Sequence, residues 1–132
     1  MKPQEIFNTV AKHLFKQGKR SVDERFCRYH NNDGLKCAVG ILVSEEEYFP
    51  EMDMGNKTIK TLLQHHEDKF PTWMKENLGL VQALQSVHDK QNNWESSDNM
   101  YNALVEVASA YDVSPDILEE IDFEEEEVNY GK

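Results

Sequence analysis

The run Ala38-Val39-Gly40-Ile41-Leu42-Val43 is apolar without a break and is fenced on both sides. Ahead of it stands Asn31-Asn32-Asp33-Gly34, a string that tolerates positive φ; behind it stands Ser44-Glu45-Glu46-Glu47, a capping-box sequence. An apolar segment this short is far below the roughly 20 residues of a membrane span and has to be buried in a protein core. Ala38 and Gly40 carry almost no side chain, so the backbone can approach a neighbour closely. The preferred reading is a buried helical turn entered at Cys37, with a central strand as the rival. The turn at 31–34, flanked by Cys27-Arg28-Tyr29-His30 and Leu35-Lys36-Cys37-Ala38, predicts a short two-stranded hairpin. In the Ser44 box the hydroxyl accepts from the Glu47 amide and the Glu47 carboxylate reaches back, which predicts a single helical turn through Tyr48, stopped by Pro50.

Helical periodicity accounts for most of the remaining chain. Pro3 suits a first turn and Gly18 a C-terminal cap, and between them Ile6, Phe7, Val10, Ala11, Leu14 and Phe15 recur at helical spacing. Residues 19–26 read as a loop, and 49–56 as irregular chain punctuated by Pro50 and Gly55. Thr58 caps a helix whose stripe is Ile59, Leu62, Leu63 and, at its end, His66. Pro71 and Trp73 open a short helix that ends near Asn77 to Gly79. Leu80, Val81, Leu84, Val87 and His88 then share one face of a helix running to about Gln91, and the loop after it tucks Trp94 inward. Ser96 or Ser97 caps a helix carrying Met100, Tyr101, Leu104, Val105, Val107, Ala108 and Tyr111, and Ser114-Pro115 starts a last one with Ile117, Leu118 and Ile121. The expectation is a single α+β domain over 1–118, predominantly helical, with five to six helices around a small β-hairpin. An acidic, flexible tail over 119–132 follows it.

The 132 residues, 39% of them hydrophobic, can bury a core without metal or disulfide support. Two cysteines are too few for a disulfide framework and are expected as thiols in a reducing cytosol. No secretory leader is legible before Pro3, so the expectation is a soluble, cytoplasmic protein. The net charge of -11 is unevenly spread: residues 1–36 carry 8 basic and 4 acidic side chains, 37–111 carry 5 and 12, and 112–132 carry 1 and 9. Gripping a phosphate backbone needs Lys and Arg to displace counterions, which argues against direct nucleic-acid binding over a broad face. A basic partner suits the balance better. Lys12, Lys16, Lys19, Arg20, Arg25 and Arg28 form a basic patch near the first helix, either solvated surface or a counterpart for the acidic segments.

Several of these residues form a wider pattern: Gln17-Gly18, Cys27 with Tyr29, Gly34-Leu35-Lys36-Cys37-Ala38-Val39-Gly40, Glu46-Glu47-Tyr48, Glu51-Met52, and Leu84-Gln85 with Val87-His88-Asp89 and Trp94. Over roughly residues 4–111 the pattern resembles a family of short bacterial and bacteriophage proteins to which no activity is attached. The Gly-Leu-Lys-Cys-Ala-Val-Gly string carries most of its specificity. The resemblance implies a self-contained domain and a bacterial or phage source, hence a bacterial host cell, and it implies no mechanism. The chain departs from the family at Ile41, where a small residue or a third cysteine is expected, and after about Leu118, where the acidic segment looks like an addition.

Candidate chemistry gathers at three places. Cys37, where the chain enters a helix N-terminus beside Lys36, is a possible thiolate nucleophile with His88 as base and Tyr29 nearby. Asp89, one residue on and about 100° around the helix, is badly placed to orient that imidazole, and the bland alternative is a buried structural thiol. Cys27, Cys37, His66 and His88 are zinc ligands in kind but not in spacing, so no metal and no cofactor are expected. A redox bridge between Cys27 and Cys37 needs an odd-length loop, whereas in-register pairing sets Cys27 opposite Ala38. The segment over 105–118 has a helix-turn-helix look, yet Asp116, Glu119, Glu120 and Asp122 give its second helix the wrong sign for DNA.

The third place is the carboxylate surface: Glu45, Glu46, Glu47, Glu51 and Asp53 in one block, and Glu119, Glu120, Asp122, Glu124, Glu125, Glu126 and Glu127 in another. A dense carboxylate array can imitate a phosphate array and occupy the basic groove of a nucleic-acid-binding protein. The expected function is an acidic interaction protein with a basic protein partner. The alternatives are a solubilising acidic tail, and a cysteine-dependent enzyme or small-ligand binder around Cys37, Tyr29 and His88.

Overall fold

Pro3 and Gly18 bound the first helix, α1 (Pro3–Gln17), as their backbone preferences require. Glu5 accepts the Lys2 N–H at 3.1 Å, and Gly18 turns left-handed at φ 72° while its N–H closes on the Leu14 carbonyl at 3.0 Å. In this computed structural model, which describes residues 1–22, 28–31, 33–54 and 58–121, the helices α2 (Ala38–Leu42), α3 (Ile59–His65), α4 (Thr72–Glu76), α5 (Leu78–Asp89) and α6 (Ser97–Ala110) follow. Short 3₁₀ segments lie at Pro50–Asp53, Glu67–Lys69 and Gln91–Trp94, and residues 117–121 are helical again. No helix among the described residues is long and apolar enough to cross a membrane.

Side-chain caps start several of these elements. Thr58 accepts from the Thr61 N–H at 3.2 Å, Ser96 from Asn99 at 3.1 Å, and Ser114 from Asp116 at 3.2 Å. Ser44 and Glu47 exchange both bonds of the capping box, each at 3.1 Å, around one exposed turn. The apolar run is the helix α2, with Cys37 at its N-cap.

The hub is α5, which packs against α1, α2, α3, α4 and α6. Its stripe of Leu80, Val81, Leu84, Val87 and His88 is buried in full. Around it Phe7, Leu14, Met52, Leu62, Met74, Leu104 and Leu118 are excluded from solvent and join one continuous core. Each such side chain contributes about 1.5–3 kcal/mol through burial. The C-terminal carbonyls of α5, which no helical N–H can reach, are met from outside: Val87 by Asn93 Nδ2 at 2.9 Å, His88 by Trp94 Nε1 at 2.8 Å, and Asp89 by Arg20 Nη1 at 3.0 Å.

The expected α+β architecture is overturned. The described residues are mostly helical and contain no strand or sheet, so there is no β-hairpin for helices to surround. Around the 31–34 turn the chain forms an isolated antiparallel bridge between His30 and Lys36, and the ladder stops there for a definable reason. Beyond the bridge, Tyr29 and Cys37 face each other, and the Cys37 N–H reaches the Tyr29 carbonyl at 3.2 Å. The return bond is missing because its one donor is spent, with Tyr29 N–H on Asp53 Oδ1 at 2.7 Å, while the Cys37 C=O turns to accept Ile41 N–H at 3.1 Å in the first turn of α2. On the turn side, Leu35 N–H goes to the Asn31 side chain at 2.9 Å. Side-chain acceptors and a helix start outcompete the strand pairing.

Candidate functional site

Cys37 is 1% exposed, and its Sγ accepts the Gly40 N–H at 3.3 Å, so the thiol serves as the N-cap of α2. A second cap comes from α5, whose Gln85 Oε1 accepts the Val39 N–H at 3.0 Å. Burial pushes the Cys37 thiol far above its ordinary range, and the nearby Asp89 carboxylate pushes it the same way. A helix of five residues with these two caps does little to offset that. The thiolate that a nucleophile needs is therefore disfavoured here.

His88 is buried completely, and both ring nitrogens are occupied. Nε2 accepts the Ser21 N–H at 2.9 Å; Nδ1 lies 2.9 Å from Asp89 Oδ1 and so carries the proton that Asp89 accepts. Asp89 does orient the imidazole, contrary to the expectation from its position one residue along. It can do so because α5 ends at Asp89. Asp89 Oδ1 also accepts Gln85 Nε2 at 2.8 Å, so Ser21, His88, Asp89, Gln85 and Val39 form one chain of bonds from the 19–22 segment through α5 into α2. The base nitrogen of His88 faces a backbone N–H.

A parallel knot centres on Asp53. Its carboxylate accepts Tyr29 N–H at 2.7 Å, His30 N–H at 3.1 Å and Tyr48 Oη–H at 2.7 Å, while its carbonyl accepts Arg28 Nη1 at 2.6 Å. His30 lies flat on the Tyr48 ring, with centroids 4.0 Å apart and planes 6° from parallel, and its Nε2 is 3.1 Å from the Gly40 carbonyl. Partial burial and the Asp53 bond push the Tyr48 phenol up to about 12, and burial pushes the Tyr29 phenol up as well. Lys36 is held by Gln17, which accepts its N–H and donates to its carbonyl, both at 2.8 Å.

The expected surface residues separate into three groups. Glu45, Glu46 and Glu47 are exposed on the capping-box turn, and Glu51 is exposed with Lys69 Nζ at 4.0 Å. Glu119 and Glu120 are exposed on the helical segment 117–121, whose Leu118 and Ile121 are buried. Asp53 is half-buried and turned inward to the knot just described. Asp122, Glu124, Glu125, Glu126 and Glu127 lie outside the described residues, as does Cys27. His66 sits against the Phe49 ring, 5.1 Å between centroids, apart from the His88 chain.

Sequence reasoning missed Gln85 and Asp53 as the organising acceptors. The available signal was weak: a glutamine three residues before an inward histidine, and an aspartate just after a proline-started turn. The chain matches no protein-family model, no curated protein and no solved structure.

Proposed function

We propose that this chain is an interaction protein of bacterial or phage origin that engages a basic protein partner through its acidic surface. A nucleic-acid-binding protein, whose groove is already built for a phosphate array, is the natural kind of partner. The observation that carries the reading is the way Glu45 and Glu46 are displayed. Their turn is closed at both ends by the Ser44–Glu47 bonds and follows a helix whose Ala38, Val39, Gly40 and Leu42 are buried. Charges held on a stiff turn lose little conformational freedom on binding. Glu51, Glu119 and Glu120 add exposed carboxylates, and the net charge of -11 draws a cationic partner from a distance.

The test is capture from a bacterial lysate at low and at raised salt, with the wild-type chain and with Glu45→Gln, Glu46→Gln, Glu119→Gln and Glu120→Gln combined. Glu47 is spared because its carboxylate closes the turn. Exposed charge pairs contribute about 0.2–1 kcal/mol each, so four neutralisations are expected to weaken capture roughly tenfold or more and to flatten its salt dependence. Changing Glu124, Glu125, Glu126 and Glu127 to Gln measures the share of the remaining expected carboxylates. Capture that is unchanged in both variants at every salt concentration overturns the proposal.

A further inference from the structure

The chemistry left over lies on the other side of α5. The start of α5 meets the end of α6, where a Cβ built at Gly79 falls 3.2 Å from the Tyr111 ring, so the two helices run antiparallel. Between them is a groove of about 320 Å³. Ala83 and Ala103 leave room on either wall, and Val87 and Val107 supply an apolar floor. This volume is at the lower end of the roughly 300–1,000 Å³ of small-molecule pockets, which suits a ligand well below nucleotide size.

Ser86, Lys90, Asn93, Glu106 and Tyr111 bring polar side chains to the groove, and three of them bear on its ligand. Lys90 comes from the end of α5 and Glu106 from the middle of α6, and neither forms an ion pair with another described residue. The third is Asn93, which is only 8% exposed. One of its amide N–H groups goes to the Val87 carbonyl at 2.9 Å, and no described residue bonds its Oδ1. That oxygen is reachable by solvent at the groove, so a ligand's donor can take the place of water on it.

We propose that the α5–α6 groove binds a small amino-acid-like zwitterion, its carboxylate on Lys90, its ammonium on Glu106 and Asn93 Oδ1, and its apolar side chain on Val87 and Val107. A ligand of both signs fits for two reasons. The groove offers one cation and one anion that do not neutralise each other, and each forms a charge-assisted bond to the complementary end of a zwitterion. The global field of a chain at -11 repels a plain anion and attracts a plain cation to many places, whereas a ligand of zero net charge is selected by the local pair alone.

The test is an NMR titration of the full isotope-labelled chain with leucine, methionine and phenylalanine, followed at the Val87 and Val107 methyl groups. Saturable shifts with a millimolar Kd are expected for at least one of the three. N-acetyl-leucine lacks the ammonium and leucinamide lacks the carboxylate, and each should bind roughly tenfold or more weakly than leucine itself. Lys90→Met, at an exposed position, should cause a comparable loss, and Ala103→Leu should fill the groove and abolish the shifts while the rest of the spectrum stays folded. The proposal is overturned by the absence of saturable shifts with all three amino acids. Equal binding of N-acetyl-leucine, or binding that Lys90→Met leaves intact, overturns it as well. These outcomes are independent of the acidic surface, whose residues lie outside the groove.

Discussion

Gly40 and Gly18 do different jobs, close approach of backbone at the first and a left-handed cap at the second. At Gly40 any Cβ would run into the Tyr29 carbonyl, because α2 lies directly on the segment that carries the Asp53 knot. Gly40→Ala should therefore cost about 2–3 kcal/mol through overpacking against backbone that cannot yield. At Gly18 there is open space, and the penalty for Ala is only that of a left-handed φ of 72°, about 1 kcal/mol. Urea midpoints of the two variants give the order; a Gly40→Ala midpoint at or above that of Gly18→Ala would show that α2 does not press on Tyr29. The phenols make a second test. Tyr48, pushed up to about 12, keeps its proton in the folded chain at a pH where the unfolded chain, near 10, has already lost it. Its contribution is complete below about pH 10 and is lost as pH rises through about 12, so stability falls across that window, and more steeply because Tyr29 and Cys37 are raised too. On the acid side His13 and His30, both lowered chiefly by burial, contribute above about pH 6.5 and lose that contribution as pH falls below it. Tyr48→Phe should make the alkaline decline shallower in urea titrations run from pH 8 to 12, and an identical slope would remove the assignment.

The helices were legible because their ends announce themselves locally. Thr58, Ser96 and Ser114 each bond an N–H two or three residues ahead, an interaction that needs no tertiary partner. The C-terminus of α5 is the contrary case: Asn93, Trp94 and Arg20 converge on its carbonyls, and only the fold brings Arg20 there. Trp94 also stands edge-on to the His88 ring at 5.8 Å. Trp94→Phe retains much of that packing and removes the N–H, so it should cost about 1 kcal/mol. A thermal melt compared with the wild type reads it, and an unchanged Tm would mean that water replaces the indole without loss. The hairpin failed for a related reason. The Asn-Asp-Gly signal did produce a turn, but a ladder also needs a free donor and a carbonyl aimed at it, and Asp53 claims the Tyr29 N–H while α2 turns the Cys37 C=O toward Ile41. Sequence distance hides the first of these claims: Asp53 is 24 residues from Tyr29.

Across the whole molecule the dominant quantity is the charge of -11. Among the described residues, Glu67 with Lys75 at 2.7 Å and Glu51 with Lys69 at 4.0 Å relieve it only slightly, because both pairs are largely exposed and such pairs contribute little. Self-repulsion should therefore destabilise the fold at low ionic strength. Raising NaCl from about 10 mM to about 200 mM shortens the screening length from roughly 30 Å to under 10 Å, and Tm is expected to rise by a few degrees. A Tm that falls over this range would mean that attractive pairs outweigh the repulsion. The same screening weakens capture of a basic partner, so the two responses to salt should run in opposite directions.

By itself the amino-acid order determined which segments are helical, where most of them start, and which faces turn inward, because capping and periodicity act over three to five residues. It also determined the sign and unevenness of the charge. Tertiary structure alone decided that α5 is the hub, that the chain near Gly34 is a bridged turn rather than a sheet, and that Cys37 and His88 spend their reactive atoms on backbone N–H groups. The physical reason is common to all three. Each depends on which buried donor meets which acceptor across the core, and that competition is settled only when distant segments are packed together.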